Sequence, residues 1–332
     1  MPAAPRIAIL EKQGGVLAWH LDIEAGFRSR GADVFSIQLR PASWTEYQTK
    51  WRTRLPALEN PAIVGRVAAE LRACRPDLVI ILKQPGLPSL ALDAWRGAAP
   101  RAPFVAWICD HLHTWPEALV PGLDGVCYFD SATRPLLETA HSGKHQPVRL
   151  VHLPLAVNPS RYQVPNIPFS RRRSALVFAG NNSRARKQQL AAYRAVGGRI
   201  EAYGPHANVG WRFWRRRRLD AAFLARLYAE HFAVLNLLQP PNTINGLNLR
   251  AFEVPAAGGL ATYPLVPDLP AAFVPGEEIV AYKDFADLKN QIDSLIAAPH
   301  RAAAIAAAGH ARVLREHTFV HRAARILQDW LP

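Results

Sequence analysis

The chain has 332 residues, a hydrophobic fraction of 49%, a charged fraction of 20% and a formal net charge of +14. That balance excludes a disordered polymer and leaves length for two domains, each with its own core. No run approaches the roughly 18 consecutive apolar residues that a membrane span needs, and MPAAPRIAIL lacks a signal-peptide pattern, so a cytoplasmic protein is expected.

In chain order, the first half alternates strands and helices. Ile7–Leu10 reads as a strand, Lys12 to Gly15 as a turn, and residues 16–30 as an amphipathic helix stopped at Gly31. Residues 32–39 form a second strand, and 40–58 are polar, aromatic and irregular. A helix over 63–74 precedes continuous apolar strands over 77–82 and 104–109, the pattern of a buried parallel sheet. A strand over 125–129, a helix over 131–140 and a strand over 148–153 complete this half. Gly14-Gly15, Lys83-Gln84 and Asp110-His111 all fall at carboxyl ends of strands, where parallel sheets place their ligands.

Residues 156–174 are proline-rich, lack periodicity and read as a linker. A second α/β series follows: strands over 176–179, 199–203, 233–238, 260–263 and 279–282, and helices over 186–196 and 221–231. A helix opens near Leu247, and others span 284–298, 300–316 and 320–331. The expected domains are 1–155, 175–318 and a terminal helix over 319–332. Strand, crossover helix and strand, repeated, predict two doubly wound α/β units. Cys74, Cys109 and Cys127 have neither disulfide nor metal spacing and are expected to be buried thiols.

Four stretches carry candidate chemistry. In LNLLQPPNTINGLNLRAFEVPAAGG, a strand feeds an Asn/Gly loop and a helix bearing Glu253; loop and helix-start amides are the usual build of an anion site. Glu253 reads either as an ion-pair partner of Arg250 or as a holder of ribose hydroxyls. GNNSRARK has neither Walker A nor dinucleotide spacing, yet it puts Arg184, Arg186 and Lys187 at a helix start. Asp110 and His111 read either as a loop cap with a surface histidine or as an acid/base group. WRFWRRRRL (Trp211 to Leu219) reads as a solvated basic face or as a contact for phosphates or the inner membrane. No third metal ligand accompanies Asp110, so no metal is expected. No base-reading module is visible, which ranks nucleic acid below other partners.

Taken in order, PDLVIIL, FVAWICDH, VHLPLAVNP, LVFAGNNSRARKQQL, IEAYGP, NLRAFEVPAAGG and GHARVLREHTFVHRAARIL resemble a known family. The chain looks like a GT-B-fold glycosyltransferase of the CgeB-like (spore maturation protein) group, with a C-terminal half similar to glycosyl transferases group 1. The resemblance implies two Rossmann-like domains facing a cleft, with the last helix crossing back to the N-terminal one. It implies metal-independent, anomer-retaining transfer from a nucleotide sugar, such as a UDP- or dTDP-sugar, to a protein, glycan or lipopolysaccharide.

On matching positions, Glu253 would hold the donor ribose, and the family's first glutamate is replaced by Asn245. Asn248, Leu249 and Arg250 match the lead-in to that helix, and Arg186 and Lys187 would serve the diphosphate. Gly15, Gly180, Asn181, Tyr203 and Gly204 complete the expected donor set. Arg186, Asp110 and His111 are the expected catalytic residues, with Asp110 or His111 the base of an inverting route. Two other readings stay open: a non-catalytic sugar-nucleotide-binding relative, motivated by Asn245, and a protein directed at nucleic acid, motivated by the +14 charge.

Overall fold

The computed structural model describes residues 3–11, 19–44, 46, 48, 60–82, 89–109, 122–141, 148–204, 219–239 and 242–331. The chain divides into two compact units, one formed by residues 1–154 with 319–332 and the other by 155–318.

The first unit contains β1 (Arg6–Glu11), α1 (Trp19–Ser29), β2 (Asp33–Gln38), α2 (Pro61–Cys74), β3 (Leu78–Leu82) and α3 (Ser89–Ala98). These are followed by β4 (Phe104–Ile108), β5 (Gly125–Tyr128), α4 (Arg134–His141) and β6 (Arg149–His152). The six strands form one parallel sheet in the order β2-β1-β3-β4-β5-β6. LVIIL and FVAWI are buried at every position because helices cover both faces of a parallel sheet. The start of α2 is set by Asn60, whose Oδ1 accepts from the Ala62 amide at 3.0 Å, with Pro61 in the first turn.

The terminal helix α11 (Phe319–Trp330) belongs to this unit and packs on α1. Gly26 permits the approach: a Cβ there would meet the Phe319 carbonyl oxygen at 2.5 Å. Phe319 also packs edge-on to Trp107, with ring centroids 6.3 Å apart. At the other end of the helix, Trp330 fills the space over Gly125, and Arg149 pairs with Asp329.

The second unit contains β7 (Arg173–Ala179), α5 (Arg184–Ala195), β8 (Ile200–Tyr203), α6 (Ala221–Glu230), β9 (His231–Leu235) and α7 (Arg250–Ala256). Then come β10 (Ala261–Pro264), α8 (Leu269–Ala272), β11 (Val280–Tyr282), α9 (Phe285–Ala297) and α10 (Pro299–Glu316). Its five parallel strands run in the order β11-β10-β9-β7-β8. Strand order reverses between β7 and β9, so the crevice beyond their carboxyl ends is the switch point where such sheets bind ligands.

Several expectations are corrected. Residues 156–174 are not a free linker: they form two 3₁₀ turns and the start of β7, and Tyr162, Phe169 and Arg172 are buried within the second unit. Proline density masked that packing. The helix expected near Leu247 opens at Arg250, and the strand expected from Ala233 starts at His231. Helices α3 and α8 were not foreseen. Cys109 lies just past β4 and is partly exposed, whereas Cys74 and Cys127 are buried; all three are free. Among the described residues, no helix is long and apolar enough to cross a membrane.

Candidate functional site

The β7/β9 switch point is built by residues from three loops. After β7, Gly180 and Asn181 turn the chain, and Ser183 caps α5 by accepting from the Arg186 amide at 3.4 Å. The Arg186 guanidinium then bridges the crevice, donating to the Asn181 carbonyl at 3.1 Å and the Leu237 carbonyl, beyond β9, at 3.3 Å. Arg250, the first residue of α7, approaches from the other side. Both guanidinium groups lie over the buried Phe178 ring, at 5.5 Å for Arg186 and 5.3 Å for Arg250.

The two cations meet at Gly180. A Cβ there would sit 2.9 Å from Arg250 Nη2 and 3.8 Å from Arg186 Nη1. Desolvation, then the charge of Arg250, brings the Arg186 pKa down to about 10. The Nε atoms of both arginines are buried without a hydrogen-bond partner. Two like charges, partly desolvated and carrying unused donors, form a site complementary to an anion with several oxygens.

Neighbouring polar groups hold this geometry. Asn236 and Asn248 exchange amide hydrogen bonds at 2.9 and 2.8 Å, and Asn236 Oδ1 also accepts from Arg250 Nη1 at 3.5 Å. The Tyr263 hydroxyl accepts from the Asn248 amide at 3.0 Å and donates to the Gly246 carbonyl at 3.2 Å. Glu253, one turn beyond Arg250, is 5% exposed. The buried Tyr228 phenol lies within the fields of both: burial chiefly, then Glu253, raises its pKa, and Arg250 opposes the rise.

The structure brings Gly180, Asn181, Arg186, Asn248 and Arg250 to one crevice; Leu249 and Glu253 flank Arg250 in the chain, and the Glu253 carboxylate is buried beside Tyr228. Gly204 packs beneath the crevice, since a Cβ there would fall 2.0 Å from the Gly180 carbonyl oxygen, at a φ of 130°. Lys187 is exposed on α5. Tyr203 is turned to the sheet, where its hydroxyl donates to Glu201 at 2.9 Å. Asn245 accepts from the Asp268 amide at 3.2 Å through its backbone carbonyl.

The amide part of the sequence reading is corrected. The Ala251, Phe252 and Glu253 amides are bonded to the carbonyls of Asn248 and Leu249, so arginine side chains rather than these helix-start amides offer the free donors. Gly15, Asp110, His111 and residues 211–218 of the basic run lie outside the described residues. Among those described, no group of three or more His, Cys, Asp or Glu is placed to hold a metal.

Sequence reasoning missed Phe178, Asn236 and Tyr263, whose roles are tertiary. It also missed Glu11 and His20 in the first unit. Glu11 ends β1, is 3% exposed, and lies 3.5 Å from His20 Nδ1. Desolvation raises its pKa against the opposing charge of His20 and a hydrogen bond from Gln38. A buried carboxylate beside an imidazole at a strand's carboxyl end has the arrangement of an acid/base pair. An apolar strand ending in Glu was the available signal.

A doubly wound sheet with paired, partly desolvated arginines at its switch point has the chemistry of an anion-binding unit. Residues 184–328 match the family model of glycosyl transferase-like proteins. No curated protein sequence matches the chain significantly. Solved structures are similar over nearly the whole chain. Anabaena HepE in complex with UDP has a TM-score of 0.61 at 12% identity, covering 98% of this chain and 99% of that one. Sucrose-phosphate synthase from Thermosynechococcus elongatus has a TM-score of 0.66 at 14% identity, covering 98% of each. An α-glucosyltransferase in complex with UDP-glucose and DNA containing an abasic site has a TM-score of 0.66 at 11% identity, covering 99% and 100%. The chain has the GT-B fold of these proteins.

Proposed function

We propose that the chain is a glycosyltransferase that moves a sugar from a UDP- or dTDP-sugar to an acceptor hydroxyl without a metal ion and with retention of anomeric configuration. The carrying observation is the convergence of Arg186 and Arg250 over Phe178 at the switch point. In transfer, the bond between the sugar's C1 and the diphosphate oxygen breaks and its electron pair leaves on the diphosphate. The acceptor oxygen bonds to C1, and its proton passes to a base or to the departing oxygen. Charge therefore grows on the diphosphate, where two preorganised guanidinium groups stabilise it without reorganisation. Glu253 takes the ribose hydroxyls, and Gly180 leaves room for the phosphates.

The similarity of residues 184–328 to glycosyl transferase-like proteins supports this reading, as do the UDP and UDP-glucose complexes of proteins sharing the fold. The CgeB-like placement, the cytoplasmic setting, an inner-membrane contact through residues 211–219 and a protein, glycan or lipopolysaccharide acceptor are parts of the same proposal, resting on sequence. A nucleotide-sugar panel tests it. Release of UDP or dTDP that persists in EDTA and is lost in Arg186→Ala and Glu253→Ala is expected. No release from any donor, or release that requires a divalent cation, overturns it.

A further inference from the structure

A second pocket lies at the opposite end of α7 from Arg250. Its volume is about 800 Å³, within the range of small-molecule sites. One wall is the 159–172 segment; the other is the end of α7 and one face of α10, with Ala303, Ala307 and Leu314. That face is open: Ala303 and Ala307 are exposed, and Leu314 is 43% exposed despite its size. Ala303 and Ala307, one turn apart, keep side-chain bulk off that wall. A neighbouring pocket of about 480 Å³ shares the wall at Gln163, Val164 and Pro165 and extends the groove.

Among the described residues, Arg172 is the one arginine or lysine in this lining, which also carries the imidazoles of His300 and His310 and the side chains of Gln163 and Asn166. Arg172 is 7% exposed and stacks on Phe169 at 3.7 Å. Its Nε donates to the Ile167 carbonyl at 2.9 Å and its Nη2 to the Gly258 carbonyl at 3.1 Å, while Nη1 has no partner. Burial brings its pKa down to about 10, and no carboxylate of the described residues offsets that. A buried arginine without a counter-ion costs stability unless something negative meets it. The donor reading uses neither this arginine nor this pocket.

We infer that the groove binds an anionic amphiphile, an aliphatic body along α10 whose single oxyanion head meets Arg172. The head belongs to a carboxylate or a phosphate monoester, two chemistries that Arg172 serves alike. The test is calorimetric titration of the full chain with octanoate, octyl phosphate, 1-octanol and inorganic phosphate. Octanoate or octyl phosphate is expected to bind at least tenfold more tightly than 1-octanol, and the tighter of the two names the head. Inorganic phosphate alone should bind more weakly than either.

Arg172→Met should erase the preference for charge. Ala307→Trp, at an exposed position, should block all alkyl ligands while leaving the melting temperature unchanged. If Arg172→Met fails to fold, Ala307→Trp and the octanol comparison still decide. Equal affinity for 1-octanol and octanoate, no binding of any alkyl ligand, or undiminished binding in Ala307→Trp overturns the inference.

Discussion

Replacing Arg186 by methionine separates what the site costs the fold from what it gives the ligand. In the free protein, desolvation and Arg250 lower the Arg186 pKa from 12.5 to about 10. At about 1.4 kcal/mol per pH unit this amounts to about 3 kcal/mol, and solvent screening at a partly exposed position cuts it to about 1–2 kcal/mol. Against that stand the two bonds to the Asn181 and Leu237 carbonyls, worth about 1 kcal/mol each. Methionine retains contact with Phe178, so the variant should unfold within about 1 kcal/mol of wild type. Binding is another matter. A charge-assisted bond to phosphate contributes about 1.5–3 kcal/mol, so UDP affinity should fall about 10- to 100-fold. Calorimetric titration with UDP and denaturant unfolding without it measure the two separately. UDP affinity within threefold of wild type, or a stability loss above about 3 kcal/mol, refutes the reasoning.

Other outcomes follow from the same geometry. Gly204→Ala should cost about 3 kcal/mol or more in denaturant unfolding, because its Cβ would collide with the Gly180 carbonyl at a backbone angle that favours glycine. Gly180→Ala meets only flexible arginine tips and one ring edge, so it should cost under about 1 kcal/mol while weakening UDP binding. For Glu201, burial alone would raise the pKa, but the hydrogen bond from Tyr203 and the proximity of His231 and Arg173 outweigh it and lower the pKa below 4.5. A depressed carboxylate stabilises the fold above its unfolded value and loses that contribution as the pH falls through the folded one. The difference in melting temperature between wild type and Glu201→Gln should therefore be full above pH 4.5 and shrink below it. Gly26→Leu should loosen α11 from α1, seen as faster amide exchange over residues 319–330.

The parallel sheets were legible in the sequence because burial on both faces writes unbroken apolar runs, as in LVIIL and FVAWI. Helix starts with capping chemistry were legible too: the helix expected over 284–298 begins where Asp284 accepts from the Asp287 amide at 2.8 Å. Helix α3 went unread; prolines flank its sequence on both sides, at Pro88 and Pro100. The candidate site was legible only by halves. Arg186 drew notice as a cation at a helix start, and Glu253 as a carboxylate on the helix beyond an Asn/Gly loop. Their joining element is Phe178, an ordinary strand residue until Arg186 and Arg250 stack on it. The Asn236–Asn248 exchange likewise joins residues twelve apart, and neither amide announces its partner in the sequence.

The assignment of α11 to the first unit has a consequence for synthesis. That unit is assembled from segments on either side of the second, whereas residues 155–318 form the second without interruption. A ribosome releases the material for the first sheet early but withholds Phe319 to Trp330 until residues 155–318 have all been made. Until then the small-residue face of α1 at Gly26 and the hollow over Gly125 stay uncovered. The second unit, begun later, has all its segments first. The order of completion thus runs opposite to the order of synthesis, and the unit that starts folding first waits longest with exposed apolar surface.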